Sequence, residues 1–202
     1  MNTTRILTKD EIQTVLDDLQ RRSRRSINSR MNAVIFRLAT CTGLRAQEIA
    51  GLTLADVRAA TGKPHLRVRK EIAKYRRARV VPLWWDRATL AEIVAWKEFR
   101  RNRDSANESD LFVSTRAKNR SGNRLHRTAI RKRFKTACRA LGADRVSSLT
   151  VHDGRHTFVS VALLGRSLAE VQAAAGHANI STTNTYLHIA VKDDGAVGDL
   201  FA

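Results

Sequence analysis

The sequence predicts a mostly α-helical domain with a small antiparallel β-sheet, and three observations carry that expectation. Apolar residues recur at helical spacing through most of the chain. Two short stretches rich in strand-forming residues, His65–Arg69 and Arg79–Leu83, stand between helical segments. No internal repeat and no Pro/Gly/Ser-rich linker divides the 202 residues, a length that suits one domain.

The elements follow in order. Thr8 with Glu11 is a capping-box pair, and Ile12, Val15, Leu16 and Leu19 then fall on one helical stripe. Ala33–Cys41 is apolar nearly all round except Arg37, which predicts a central helix ended by Gly43. A short helix over Ala46–Ala50 comes next. His65–Arg69 and Arg79–Leu83 read as a hairpin, with Pro82 placing the second strand at an edge. Asp86 can cap a helix running to about Arg101 that turns Leu90, Ile93 and Val94 inward. Leu111–Val113 suggests a short strand. Asn123–Leu141 predicts an amphipathic helix, with Leu125, Ala129, Ile130, Phe134, Ala137, Cys138 and Leu141 inside and arginines outside. Three short helices follow, near His152–Leu164, Leu168–Ala174 and Ser181–Leu187, with breaks at Gly165 and Gly176.

Composition narrows the function classes. Lys and Arg number 37 against 19 Asp and Glu, a formal charge of +18, which points to a polyanionic partner, most simply nucleic acid. The excess is concentrated. Gln20–Arg37 holds six arginines and no acid, Lys63–Arg79 holds eight basic residues against Glu71, and Arg116–Arg139 holds ten with no acid. From Leu168 onward the sign reverses, and the tail ends in Leu200 and Phe201. Such runs repel one another unless a polyanion neutralises them. No apolar run reaches the roughly 18–20 residues of a membrane span, Met1–Thr8 does not resemble a signal peptide, and Cys41 and Cys138 are too few for a disulfide framework or a cysteine zinc site. The expectation is a soluble cytoplasmic protein.

Phosphate chemistry without metal needs cations fixed around the non-bridging oxygens, a nucleophile and a proton donor. His152 and Arg155 lie three apart in Val-His-Asp-Gly-Arg-His and share a helix face. Arg45 follows a Gly turn in Thr-Gly-Leu-Arg, His177 follows Gly176, and Tyr186 comes nine residues later. Arginine presents a planar fork matched to phosphate, and its charge does not titrate near neutrality. Taken singly, each residue has a plainer role: a surface arginine, a hydrogen-bonded histidine, a half-buried core tyrosine.

Taken together, Thr-Gly-Leu-Arg-x-x-Glu-Ile (Thr42–Ile49), His-x-x-Arg-His (His152–His156) and Gly-His-x8-Tyr (Gly176–Tyr186) resemble the signature of the tyrosine recombinases, or phage-integrase family, from about Leu7 to His188. The resemblance implies the family's catalytic-domain fold and a site-specific DNA strand transferase that works without metal or nucleotide cofactor. Arg45 and Arg155 would clamp the scissile phosphate, His152 and His177 would hydrogen-bond it, and Tyr186 would attack phosphorus to give a 3′-phosphotyrosyl link. Counting back from Val-Pro-Leu places Lys74 at the family's general-acid lysine, although both flanking glycines of the usual turn are missing and Lys70 is a rival. Gly154 stands where the family usually has a large apolar residue, and Ala175 where Leu is commoner. Glu48 would orient Arg45 or a basic neighbour, or else be an ordinary solvated carboxylate. The basic residues expected to grip DNA are Arg76, Arg77, Arg124, Arg127 and Arg131.

The implied partners are double-stranded DNA, further copies of the chain forming a homo-oligomer on DNA that reaches a tetramer in synapsis, and accessory DNA-bending proteins. The expected organisation is a catalytic domain over residues 1–190 and a trans-docking tail over 191–202, with the family's N-terminal core-binding domain absent. Two other readings share part of this pattern. A type IB-like topoisomerase would use the same chemistry without pairing two sites, and a non-catalytic DNA-binding regulator would keep only the fold.

Overall fold

Ser26, well ahead of Ala33, opens the central helix. The computed structural model describes residues 6–114 and 122–177. Helix α1 (Lys9–Ser23) starts at Thr8 with the expected reciprocal capping box to Glu11, and it buries Ile12, Val15 and Leu19. Helix α2 (Ile27–Thr40) is capped by the Ser26 side chain and buries ten of its residues. It packs against α1 on one side and, as the chain continues, against the helices described below. Four of residues 27–32 are polar, so periodicity places the helix start six residues late; the Ser cap and burial by neighbours make that turn helical.

After α3 (Ala46–Gly51) and a 3₁₀ turn at Leu54–Asp56, three antiparallel strands form a sheet in the order β1 (Val57–Arg58), β2 (His65–Val68), β3 (Arg79–Pro82). Leu66 pairs with Val57 on one side and Val81 on the other, so the buried positions of the strands share one face. Pro82 lies on an edge strand, as its missing N–H requires. The two-residue β1 is too short to show alternation in sequence. Charged side chains tether both arms of the hairpin. Buried Asp56 receives Arg69 Nε at 2.9 Å just beyond β2, and Arg79 at the start of β3 is held by Glu48. Between these tethers Ile72 and Ala73 turn back into the core, and residues 74–78 are exposed.

Helix α4 (Arg87–Asp104) is capped by Asp86. Its buried face is Thr89, Ile93, Trp96, Lys97 and Arg100, whereas Leu90 and Val94 are only half-buried. The long stems of Lys97 and Arg100 serve as core surface while their heads find carbonyls. This also explains why Leu111–Val113 forms only an isolated bridge to Thr53 instead of a strand. Trp96 Nε1 takes the Phe112 carbonyl at 2.7 Å and Arg100 Nη1 takes that of Leu111 at 2.7 Å. Side chains thus occupy the acceptors a ladder would need.

Helix α5 (Arg127–Ala137) begins at a His126 cap, four residues later than expected, and its last turn tightens to a 3₁₀ turn over Cys138–Leu141. Helix α6 (Ala143–Ser148) buries none of its residues, which is why hydrophobic spacing does not reveal it. Helices α7 (Val151–Gly165) and α8 (Leu168–Ala175) follow, α7 against α2 and α8 beside β3. Cys41 and Cys138 are free and buried, and burial pushes their thiols up to about 11 and about 12. No helix of the described residues is long and apolar enough to cross a membrane. The helix expected at Ser181–Leu187, with Tyr186, and the tail lie outside the described residues.

At Gly154, where the family usually has a large apolar residue, neighbouring side chains fill the space. Gly154 lies where α7 crosses α2, and a Cβ there would stand 2.9 Å from Thr40 Oγ1 and 3.1 Å from the Phe134 ring. Phe134, stacked on Phe36 with centroids 5.8 Å apart, fills the space a larger side chain would use. Gly154→Leu is therefore expected to destabilise the fold by about 1–3 kcal/mol through overpacking, read as a lowered Tm at neutral pH.

Candidate active site

The site forms around the turn that joins α2 to α3. Gly43 adopts φ +65°, and a Cβ there would lie 2.4 Å from the Phe158 ring, so a residue without a side chain is needed both for the backbone and for the contact. Thr42 Oγ1 donates to the Leu38 carbonyl at 2.7 Å, and Leu44 is fully buried. The turn delivers Arg45 to the start of α3 in an extended conformation, where it occupies the N-cap position.

Glu48, one turn into α3, is 0 % exposed. One carboxylate oxygen accepts the Arg45 backbone N–H at 2.8 Å and the other accepts Arg45 Nη1 at 3.2 Å. Both oxygens also receive the Arg79 guanidinium in a two-pronged pair at 2.7 Å each. Burial would raise the Glu48 pKa, but hydrogen bonds and charge from Arg79, then Arg45, outweigh it and hold the carboxyl below its usual value. Of the two roles open to Glu48 in the sequence, the orienting one is correct.

Arg79 was not singled out from the sequence. In a run of eight basic residues nothing marks it except its place just before Val-Val-Pro-Leu. Its Nε donates to the Ala174 carbonyl at 2.9 Å, and a Cβ on Gly176 would stand 2.7 Å from its Cδ. Gly176, at φ +67°, therefore carries the chain directly over Arg79 to His177.

Arg155 makes the matching link from α7. Its side chain is almost wholly buried, and its two terminal nitrogens donate to the carbonyls of Gly43 and Ala175. These carbonyls lie two residues ahead of Arg45 and two ahead of His177. The small Ala175 thus leaves its main chain free to receive a guanidinium.

The electrostatics show which groups converge. Burial and the charges of Arg155, Arg45 and Arg79, with a smaller contribution from His156, push His177 down to about 4. His152, on the solvent side of α7, is lowered by burial, then by Arg155, Arg45 and Arg131. Arg131 and Arg127 sit one turn apart on the exposed face of α5. Both histidines are neutral hydrogen-bonding groups at pH 7, set among fixed positive charge. Four of the residues singled out from the sequence, Arg45, His152, Arg155 and His177, are thus brought together.

The hairpin residues stand further out. Lys74 begins a 3₁₀ turn, exposed, with its ammonium 4.8 Å from the centre of the Tyr75 ring. Tyr75, in the place of one missing glycine, and its neighbour Arg76 adopt φ +61° and +53°, the left-handed region that favours glycine, whereas Ala73, in the place of the other, has an ordinary φ of −76°. Arg77 is exposed beside them, and Lys70 is exposed near the other tether. Arg124 reaches the Gln47 carbonyl on α3 at 3.4 Å.

Residues 5–193 match the model of the Phage integrase family. The chain belongs to that family. It is 30% identical over 161 residues to the tyrosine recombinase XerC of Corynebacterium efficiens, a match covering 79% of this chain and 47% of that protein. It is 34% identical over 156 residues to XerC of Haemophilus influenzae, covering 77% and 48%. The chain thus spans about half the length of these curated relatives. Among solved structures, XerA recombinase superposes with a TM-score of 0.70 at 21% identity, over 93% of this chain and 62% of that one. XerH recombinase bound to its palindromic difH substrate gives 0.69 at 22%, over 93% and 50%. The fold is that of the family's recombinases.

Two outcomes are expected from this geometry. Glu48→Gln leaves the buried Arg79 without its counter-charge, so stability should fall by about 3–5 kcal/mol in urea denaturation. An NMR titration should find His177 half-protonated near pH 4. Because its folded pKa lies below the ordinary value of about 6.5, the unfolded chain binds the proton first on acidification. Stability should therefore fall as pH drops from about 6.5 to about 4, and His177→Asn should flatten that part of the profile.

Proposed function

We propose that this chain is the catalytic part of a site-specific DNA recombinase that breaks and rejoins strands through Tyr186. The observation that carries the reading is the convergence of Arg45, Arg155, His152 and His177 at one corner, fixed by Glu48 and by the carbonyls of Gly43 and Ala175. Membership of the phage integrase family, and relatives named as tyrosine recombinases, support the same conclusion.

The chemistry follows from these groups. Arg45 and Arg155 hold the non-bridging oxygens of the scissile phosphate and offset the charge that grows on them. Neutral His152 and His177 donate hydrogen bonds to the same oxygens. The Tyr186 oxygen attacks phosphorus as its phenol proton passes to the unprotonated ring nitrogen of one of these imidazoles, the bond from phosphorus to the 5′-oxygen breaks, and Lys74 gives that oxygen a proton. A phenol with a pKa of about 10 is scarcely ionised at pH 7, so the cationic site is what makes it a usable nucleophile. The phosphotyrosyl ester keeps the energy of the phosphodiester, and a 5′-hydroxyl reverses the steps to rejoin a strand. Arg76 and Arg77 on the hairpin, Arg124 beside α3, and Arg127 and Arg131 on α5 supply phosphate contacts around this centre.

In this reading double-stranded DNA is the substrate, and four copies exchange strands in the bacterial cytoplasm, helped where required by DNA-bending proteins. Residues 1–190 form the catalytic domain, and the acidic, apolar-ended segment 191–202 docks on a neighbouring copy.

The nucleophile can be tested directly, because the chain has two tyrosines, Tyr75 and Tyr186. Tyr186→Phe is expected to bind its site with near-normal affinity yet form no covalent adduct on a suicide DNA substrate, resolved on a denaturing gel. Tyr75→Phe should still form one, at a reduced rate if the hairpin shifts Lys74. An adduct that persists in the first variant and vanishes in the second would overturn the assignment.

A further inference from the structure

A concentration of arginines outside the site lies at the opposite end of α2. A cleft of about 610 Å³ opens where the end of α1, the start of α2 and the 3₁₀ turn after α5 meet. Arg21, Arg22, Arg24, Arg25 and Arg139 line it, with Asp18 as the one carboxylate. Asp18 serves three of them, at 2.5 Å to Arg22, 3.7 Å to Arg21 and 3.9 Å to Arg139. Arg24 and Arg25 are exposed and, among the described residues, form no ion pair.

Helix capping accounts for part of this cluster only. Arg21 and Arg22 lie in the last turn of α1, where a positive charge suits the helix dipole. Arg24 is the C-cap residue of the same helix, and Arg25 and Arg139 fall outside it. Ser26 and Ser29 form the far wall at the start of α2, a helix with no acid in its first turn, so that wall too is positive in sign. Five guanidiniums around one carboxylate repel each other, a cost that a bound anion removes.

We infer that this cleft binds consecutive phosphates of a nucleic-acid backbone, at a site separate from Arg45 and Arg155. Helix α2 has 14 residues at about 1.5 Å each, so roughly 20 Å separates the cleft from the turn that carries Arg45. One phosphate cannot serve both. The guanidinium fork is matched to phosphate oxygens. The five forks exceed what a single phosphate uses, whereas phosphates of one strand follow each other about every 3.4 Å along the duplex axis. The occupant is then a run of phosphates other than the one at the catalytic corner, giving each copy a second grip on DNA. This inference does not depend on strand cleavage.

The test is hydrogen exchange over residues 22–30 of the full chain, with a short duplex of arbitrary sequence, inorganic pyrophosphate, or a peptide of residues 192–202 as separate probes. The duplex is expected to slow exchange there. Arg24→Glu/Arg25→Glu should abolish that protection while still forming the covalent adduct, and Arg87→Glu/Arg103→Glu, with the same net charge, should keep both. In the first variant the log–log salt slope of duplex binding should shrink by roughly 1.8, two phosphates at about 0.9 each. Protection by pyrophosphate without protection by the duplex would overturn the backbone assignment in favour of a free phosphate compound. Protection by the peptide alone would overturn it in favour of a protein-docking groove. Protection by none of the three would overturn it outright. Should no variant or wild-type protein form an adduct while the duplex still protects 22–30, the cleavage reading fails and this one stands.

Discussion

The buried carboxylate of Glu48 is the point on which the catalytic corner hangs. It accepts the main chain and side chain of Arg45 and both forks of Arg79, so one group ties α3 to β3. Arg79 extends the tie to the Ala174 carbonyl at the end of α8. A carboxylate in that position is costly to bury alone and is tolerable because four hydrogen bonds and two positive charges meet it. Arg155 joins the same two regions from the other side, through the carbonyls of Gly43 and Ala175. Two guanidiniums therefore act as cross-struts between the chain segment leading to Arg45 and the segment leading to His177.

This arrangement explains how a strongly cationic centre coexists with neutral imidazoles. The arginines are held by carbonyls and one carboxylate that do not titrate near neutral pH, so their charge persists. That persistent charge, added to burial, is what keeps His177 and His152 unprotonated. A phosphate arriving among them meets fixed charge for its oxygens and hydrogen-bond donors whose protons are not already committed to a second charge. The preorganisation comes from the fold, and the phosphate does not have to assemble it.

The hairpin follows a different logic. Arg69 and Arg79 anchor its two arms to Asp56 and Glu48, Ile72 and Ala73 pack into the core, and residues 74–78 are exposed. Lys74 sits in the exposed part, beside two residues in left-handed backbone. A segment anchored at its base and strained at its tip can approach a ligand without disturbing the core.

The local elements were legible in the sequence wherever a local cause suffices. Thr8 with Glu11, Asp86, Gly43 and Gly176 act within one turn of themselves, and the helices or breaks they signal are where they were expected. The motif arginines and histidines could be recognised because their spacing is itself local, although what holds them is not. Elements that depend on distant partners were misread or missed: the first turns of α2, the non-strand at Leu111–Val113 and the helix α6. The role of Arg79 belongs with these, since one basic residue in a run of eight differs from its neighbours only by what it meets 31 and 95 residues away. The sequence by itself determined most of the helices, the hairpin and the identity of the arginines and histidines that meet at one corner. The tertiary structure alone decided which charges are buried together, because burial and long-range pairing are properties of the folded neighbourhood and leave no periodicity in the chain.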